Sequence, residues 1–254
     1  GTGSRDLSET VGGSSTLRGL AALDSDPATD VIVVVSKPPA PEVAARIRAA
    51  AAECSTPVVI AFMEPGSTLE GAANRTLEHL GKAPFQYTAW RADQSAHRPG
   101  VLRGFFSGGT LRDEARFILE PEIGSMSLTE TTDGPSLVDY GDDEYTEGRA
   151  HPMIDQTVRL ERIESAIEDQ SIGVVLLDVV LGYGANPDPA VELAPVLQRL
   201  TQSGAAVVAT LCGSKTDPQG LAYQAGLLSK SGVDVFVSNA AAARHAAGLA
   251  GGTA

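Results

Sequence analysis

The run Ser107-Gly108-Gly109-Thr110 stands between an apolar segment, 101–106, and a helix-forming stretch that opens Leu111-Arg112-Asp113-Glu114. Such a run can hold an anion. Glycines leave backbone amides uncovered, and the first amides of a helix lack partners within it and lie at the positive end of its dipole. Thr110 reads as the N-cap, with Asp113 or Glu114 placed to complete a capping box. A second arrangement of this kind, Gly12-Gly13-Ser14, precedes a helical run at 17–23. The sequence therefore predicts anion-binding positions at Gly12, Gly13, Ser14, Ser107, Gly108, Gly109 and Thr110. A Gly-Gly pair before a helix is also ordinary turn chemistry, so each alone is weak evidence.

Other side chains could act beside such a site. Asp178 ends the apolar run Val174-Val175-Leu176-Leu177, an unusual place for a charge unless it is paired or functional. Capping the turn that follows is its plainer role. His151 is a residue type suited to a general base, though no partner is visible in the sequence. With Asp155 it adjoins Asp139, Asp142, Asp143, Glu144 and Glu147, hard oxygen donors of the kind that bind Mg²⁺. A carboxylate-rich loop is ordinarily just solvated, and Asp155 is a natural N-cap, so no metal site is assigned. Arg112 could hold an anion bidentately or lie on the surface beside Glu114 and Arg116. Cys212 could be a strand-end nucleophile or a small buried hydrophobe.

Buried runs without alternation at 31–35, 57–62, 101–106, 173–179, 205–211 and 233–237 read as strands of parallel sheets covered on both faces. Helical patterns lie between them, at 17–23, 41–53, from Ser67 as cap to about 80, 110–119, 155–169, from about 188 with a kink or restart at Pro195, at 218–230 and at 239–247. The alternation predicts right-handed βαβ units in an α/β fold with mainly parallel sheets. The polar stretch 90–100 suggests two domains, 1–92 and 93–254. Within the second, an irregular acidic insertion is expected at about 120–150, and a tail from Gly248. Ligands of such folds bind at the carboxyl ends of the strands, where both Gly-Gly turns, Asp178 and Cys212 fall.

The 254 residues include 43% hydrophobic and 5% aromatic side chains, suited to layers packed with small aliphatics. A formal net charge of −13, with no basic stripe, argues against nucleic acid or an anionic membrane as partner. No apolar run reaches transmembrane length, and no leader segment is apparent. Two cysteines, Cys54 and Cys212, far apart and without metal spacing, read as reduced thiols in a cytoplasmic protein.

Four separated motifs carry a family likeness. They are Gly3-Ser4-Arg5-Asp6-Leu7-Ser8 with Val11-Gly12-Gly13, and Phe106-Ser107-Gly108-Gly109-Thr110-Leu111. The third joins Gly141-Asp142-Asp143-Glu144 to Arg149-Ala150-His151-Pro152-Met153-Ile154-Asp155, and the fourth is Leu177-Asp178-Val179-Val180-Leu181-Gly182-Tyr183-Gly184. Spread over essentially the whole chain, they resemble the FdrA family, relatives of succinyl-CoA synthetase often labelled acyl-CoA synthetases. The resemblance implies two flavodoxin-like, doubly wound ligase domains, one like the carboxyl half of the synthetase α subunit and one like the carboxyl domain of its β subunit. In the synthetase a helix from each points its N-terminus at the phosphate on a catalytic histidine, and the two Gly-Gly turns fall at those places.

Departures from the pattern set further expectations. The amino-terminal CoA-binding domain and the ATP-grasp domain are not recognisable, and no Walker-type loop appears. Where the synthetase has its His-Ala-Gly-Ala-like run, this chain reads Glu70-Gly71-Ala72-Ala73, with His79 following mid-helix. No phosphohistidine is expected, and CoA or a nucleotide would come through another domain or a partner. The resemblance thus implies an acid–thiol ligase-like protein, incomplete alone, working with other subunits or as a homo-oligomer. It would bind a small anionic metabolite between its domains: an acyl or carbamoyl phosphate, phosphate or a CoA-linked group. Alternatives are a subunit of an oxamate-type carbamoyltransferase, since some FdrA proteins are associated with that transfer, and a non-catalytic metabolite-binding scaffold on the same fold.

Overall fold

Strands and helices alternate along most of the chain in the computed structural model, which describes residues 2–92 and 98–251. The chain divides into two compact units, 1–86 and 87–254. The division falls ahead of the polar stretch, because Ala89 and Trp90 pair with the second unit's sheet. Residues 93–97, at the expected boundary, lie outside the described residues.

In the first unit a 3-10 turn, Ser4–Leu7, leads to α1 (Ser14–Asp24), β1 (Ile32–Ser36), α2 (Pro41–Glu53), β2 (Val58–Phe62) and α3 (Leu69–His79). β1 and β2 pair in parallel, from Ile32 beside Val58 to Ser36 beside Phe62. Val43 and Ile47 of α2 pack with Leu7 and Phe62 in a small core. β1 is not buried on both faces as its composition suggested: Val33 and Val35 are 42% and 50% exposed. A two-stranded sheet leaves one face of an all-apolar strand uncovered wherever no helix lies over it. The N-cap of α3 is Thr68, whose Oγ1 accepts from Gly71 N, rather than Ser67.

The second unit contains β3 (Ala89–Trp90), β4 (Val101–Phe106), α4 (Gly109–Ile123), β5 (Ser136–Asp139), α5 (Asp143–Thr146), α6 (Thr157–Ser165), β6 (Ile172–Val180), α7 (Pro189–Gln202), β7 (Ala206–Cys212), α8 (Leu221–Lys230), β8 (Val233–Phe236) and α9 (Asn239–Gly251). Its six strands lie in the order β3-β8-β7-β6-β4-β5, parallel except for the short antiparallel edge β3. Counted from β4, this is the flavodoxin-like doubly wound order. The chain lays β5 on one side of β4, then returns to place β6 on the other. The direction of winding therefore reverses between β4 and β6, and in folds of this kind ligands bind at that point, at the carboxyl ends of the strands.

Two cores flank this sheet. Leu102, Phe106, Leu119, Val174, Leu176 and the alanines of α9 form one. Phe105, Val175, Leu177, Ile163, Leu193 and Leu228 belong to the other. Eight of the nine residues of β6 are buried, in keeping with its unbroken apolar run. β4 and β6 begin close together: a Cβ on Gly173 would come within 2.6 Å of Gly100 N.

Several local expectations are corrected. The stretch at 120–150 contains β5 and α5, because two apolar residues, Leu137 and Val138, suffice for a strand when a prepared edge receives them. Pro195 does not interrupt α7. The carbonyl it leaves unbonded belongs to Val191, which is 51% exposed, so water can serve it. α6 spans nine residues rather than the fifteen expected, with Gln156 at its N-cap and Asp155 one position earlier, accepting from Thr157 N and Oγ1. The expected tail is helical to Gly251, and residues 252–254 lie outside the described residues.

Candidate functional site

The carboxyl ends of β4 and β6 bring together residues from three separated parts of the chain. Ser107 follows β4, and its N–H and Oγ–H both donate to Asp178 Oδ1 near the end of β6, at 2.7 and 2.9 Å. Arg159, on α6, reaches the same oxygen through Nη1 at 2.8 Å and the Asp178 carbonyl at 2.7 Å. Its Nη2 donates to Gln156 Oε1. Ser107, Asp178, Arg159 and Gln156 are each at most 2% exposed. A continuous buried polar chain thus bolts the turn at the start of α4 to the segment that carries His151.

The network is incomplete. Asp178 Oδ2 and Arg159 Nε are buried without a hydrogen-bond partner. Burial pushes the Asp178 carboxyl up from its ordinary range, against Arg159 and the Ser107 hydrogen bonds, and the nearby charge of Asp139 pushes the same way. A buried ion pair of this kind adds little stability over apolar side chains of equal volume, since desolvating the two charges consumes most of their attraction. Its clear effect is geometric, in fixing where the Ser107 turn sits.

The N-cap of α4 lies two residues earlier than expected. Gly108, in extended backbone with φ −161° and ψ 134°, is the N-cap, and Thr110 lies inside the first turn. No side chain caps this end. Asp113 forms no capping box: its carboxylate takes both Arg112 Nε and Nη2, so Arg112 is held at home rather than facing an anion. Glu114, 1% exposed, accepts from Asn239 Nδ2 at 2.7 Å. The amides of Gly109, Thr110 and Leu111 thus have no acceptor among the described residues, with Gly109 buried and Thr110 and Leu111 partly buried. Gly108 needs no special φ. A Cβ there would meet Met153 Cε at 3.4 Å, an ordinary contact.

His151 belongs to this neighbourhood. Met153 N donates to its Nδ1 at 3.3 Å, which assigns the ring proton of the neutral form to Nε2. A Cβ on Gly141 would come within 2.5 Å of both His151 Nε2 and Ser107 O, so a glycine is required where these groups meet. Asp139 closes the end of β5 by accepting from Gly141 N at 2.9 Å. Two of the sequence candidates, Asp178 and His151, thus lie near the Ser107 turn that leads into α4. Among the described residues no group of three His, Cys, Asp or Glu side chains is placed to hold a metal ion. Cys212 is exposed rather than the small buried hydrophobe expected, and its thiol is pushed up, by desolvation first and then by Asp178 and Asp217, which disfavours the thiolate.

The first unit's turn is different, and corrects the expectation of an open anion site at Gly12, Gly13 and Ser14. Gly12 and Gly13 have φ of 68° and 74°, backbone that favours glycine, and a Cβ on Gly13 would lie 2.9 Å from Val43 Cγ1. The anion at this helix start is the chain's own. The Asp6 carboxylate accepts from Ser15 N, Thr16 N and Thr16 Oγ1 at 2.9, 2.9 and 2.7 Å. Burial opposes the Asp6 charge, but the hydrogen bonds from Ser15 and Thr16 outweigh it and hold the carboxyl at about 2.

The sequence reading missed Arg159, Gln156 and the role of Asp6. A signal for Arg159 existed, because it lies four residues before the fully buried Ile163 on the same helix face.

Two outcomes are expected. Because the Asp6 carboxyl is lowered from an ordinary value of about 3.9 to about 2, its contribution is complete above about pH 4 and is lost as pH falls through about 2. Asp6→Asn should cost about 0.5–2 kcal/mol at neutral pH, as for loss of a helix cap. Denaturation of parent and variant should converge toward pH 2, and an equal gap at all pH values would contradict the assignment. Second, Asp178→Leu or Arg159→Met alone should cost about 3–5 kcal/mol by stranding a buried charge, whereas the double variant should regain most of it. The Ser107 amide should nonetheless exchange hydrogen faster in the double variant. Retained protection at Ser107 would show that the pair does not hold the turn.

Comparison with known proteins gives the family. The CoA-ligase family model matches residues 105–249, which include the Ser107 turn, His151, Arg159 and Asp178. The chain is 30% identical to the uncharacterized protein YahF of Escherichia coli (strain K12), over 92% of this chain and 53% of that relative. It spans about half the length of the curated relative it matches. The fold order, the site at its switch point and the extent of the family match support one conclusion: the chain belongs to the CoA-ligase family.

Proposed function

We propose that the second unit is a ligase domain that seats a phosphate-type anion, such as phosphate or an acyl or carbamoyl phosphate, against the first amides of α4. The observation that carries this reading is the contrast between two helix starts. α1 has its amides taken by Asp6, whereas α4 has a bare glycine N-cap at the switch point of the sheet. Gly109 and Thr110 supply amides, Gly108 leaves room, and Ser107 fixes the turn through Asp178. His151 stands beside Ser107 O and would donate from Nε2 to an oxygen of the anion.

The reading fits a succinyl-CoA-synthetase-like, FdrA-type protein. CoA is the thiol that the family's chemistry implies, and a nucleotide- or CoA-binding domain or partner subunits would complete the catalyst, in the cytoplasm. Glu70-Gly71-Ala72-Ala73, in the first turns of α3, offers no nucleophile in place of the synthetase histidine. That favours transfer from a ready-made acyl or carbamoyl phosphate, as in a carbamoyltransferase assembly, over a phosphohistidine relay. A non-catalytic metabolite-binding scaffold is the second reading, and the incomplete set of acid–base groups around α4 favours it.

Gly108→Asp tests the site. The extended backbone at Gly108 suits an aspartate N-cap, which would place a carboxylate over the α4 amides much as Asp6 does at α1. Hydrogen bonds to a charged oxygen are worth about 1.5–3 kcal/mol each, so losing two should weaken phosphate or acetyl phosphate binding by at least about 100-fold. Thermal stability should hold or rise. Calorimetric titration showing no binding to the parent, or equal affinity in the variant, would overturn the reading.

A further inference from the structure

The free edge of the first unit's sheet offers a surface of a different kind. β1 pairs with β2 alone among the described residues. Ile32 N donates to Pro57 O and Met63 N to Ser36 O, both at 2.9 Å, so the backbone groups of Ile32, Val34 and Ser36 face β2. Successive residues of a strand direct their N–H and C=O to opposite edges. The N–H and C=O of Val33 and Val35 therefore face away from β2, and none of them has a hydrogen-bond partner among the described residues.

The same two residues leave their side chains exposed, although Val59 and Ala61, their register partners on β2, are buried. Cover over this face thus ends at β2. The outer edge of β2 is treated differently: Arg75, on α3, donates to Ile60 O at 3.2 Å. β1 lacks the devices that keep a sheet edge from pairing. Ile32-Val33-Val34-Val35-Ser36 contains no charge and no proline, and its register with β2 has no bulge.

We propose that β1 is an interface to a second copy of this chain, the two β1 strands pairing antiparallel about a twofold axis through Val34. In that register Val33 of each copy lies opposite Val35 of the other, each pair exchanging both of its hydrogen bonds. The exposed valines of the two copies then meet on one face. Charges at the strand ends set the direction. Asp30 precedes β1 and Lys37 follows it. Antiparallel pairing brings Asp30 of one copy to the end where Lys37 of the other lies, whereas parallel pairing would set like charges together. Because Arg75 guards the outer edge of β2, association closes at two copies. One strand pair is a small interface, and the net charge of −13 on each copy opposes it, so the dimer is weak and forms only as concentration rises.

Sedimentation velocity from micromolar to millimolar protein, in about 0.15 M salt to screen the long-range repulsion, should show a monomer–dimer equilibrium. Hydrogen exchange should protect the Val34 amide at every concentration, and those of Val33 and Val35 only where the dimer forms. Val33→Lys sets a charge against the partner strand, and Val35→Pro removes a donor that β2 does not use. Each should weaken association at least about tenfold, with thermal unfolding of the dilute protein close to that of the parent. A monomer at every concentration, a dimer whose Val33 and Val35 amides stay unprotected, or a dimer unchanged by Val33→Lys would overturn the proposal. If Val35→Pro does not fold, Val33→Lys decides alone.

Discussion

The buried ion pair between Arg159 and Asp178 is the contact on which the arrangement of the second unit's site depends. Asp178 Oδ1 gathers three donors, two from Ser107 and one from Arg159. Through it, the end of β6, the exit of β4 and the start of α6 are held at one point. A charge in the middle of a sheet costs desolvation, and the pair is not fully satisfied. An apolar residue at position 178 would fill the strand more cheaply but could not hold the Ser107 amide. That amide belongs to the residue just before the N-cap, so its position sets the direction in which the α4 amides point.

The two Gly-Gly turns look alike in sequence and do opposite work. At α1 the glycines adopt left-handed backbone so that the chain can fold back and bring Asp6 onto Ser15 and Thr16. The helix start is neutralised internally and serves stability. At α4 the first glycine is extended and the helix start is left uncapped, with His151 beside it. An internal carboxylate and an external anion compete for the same amides, so a helix start can do only one of these things at a time.

Much of the architecture was legible because apolar runs without alternation mark buried parallel strands, and β4, β6, β7 and β8 fall within a residue or two of where those runs predict. Asp178 stood out for the same reason, as a charge in a run that should be apolar. β5 was not legible, since its four residues become a strand only when β4 offers an edge. The N-cap of α4 was misplaced by two residues because Thr110 has the side chain a cap prefers, while the helix starts after Gly108, which has none. Arg159 and Asp6 escaped because their partners lie at distances in sequence that no local pattern encodes: nineteen residues for Arg159, and nine or ten for Asp6. The family resemblance implied an anion site at both turns, and the geometry leaves the α4 amides, and not those of α1, without an internal acceptor.

The central claim is that α4, and not α1, presents an open helix start to a phosphate-type anion. Amide chemical shifts of the isotopically labelled protein, followed during titration with phosphate and then acetyl phosphate, test it most directly. The account predicts saturable shifts at Gly109, Thr110 and Leu111, with a companion response of the His151 ring, while Ser15 and Thr16 stay unmoved because Asp6 already occupies them. Equal responses at the two helix starts, or none at α4, would contradict it.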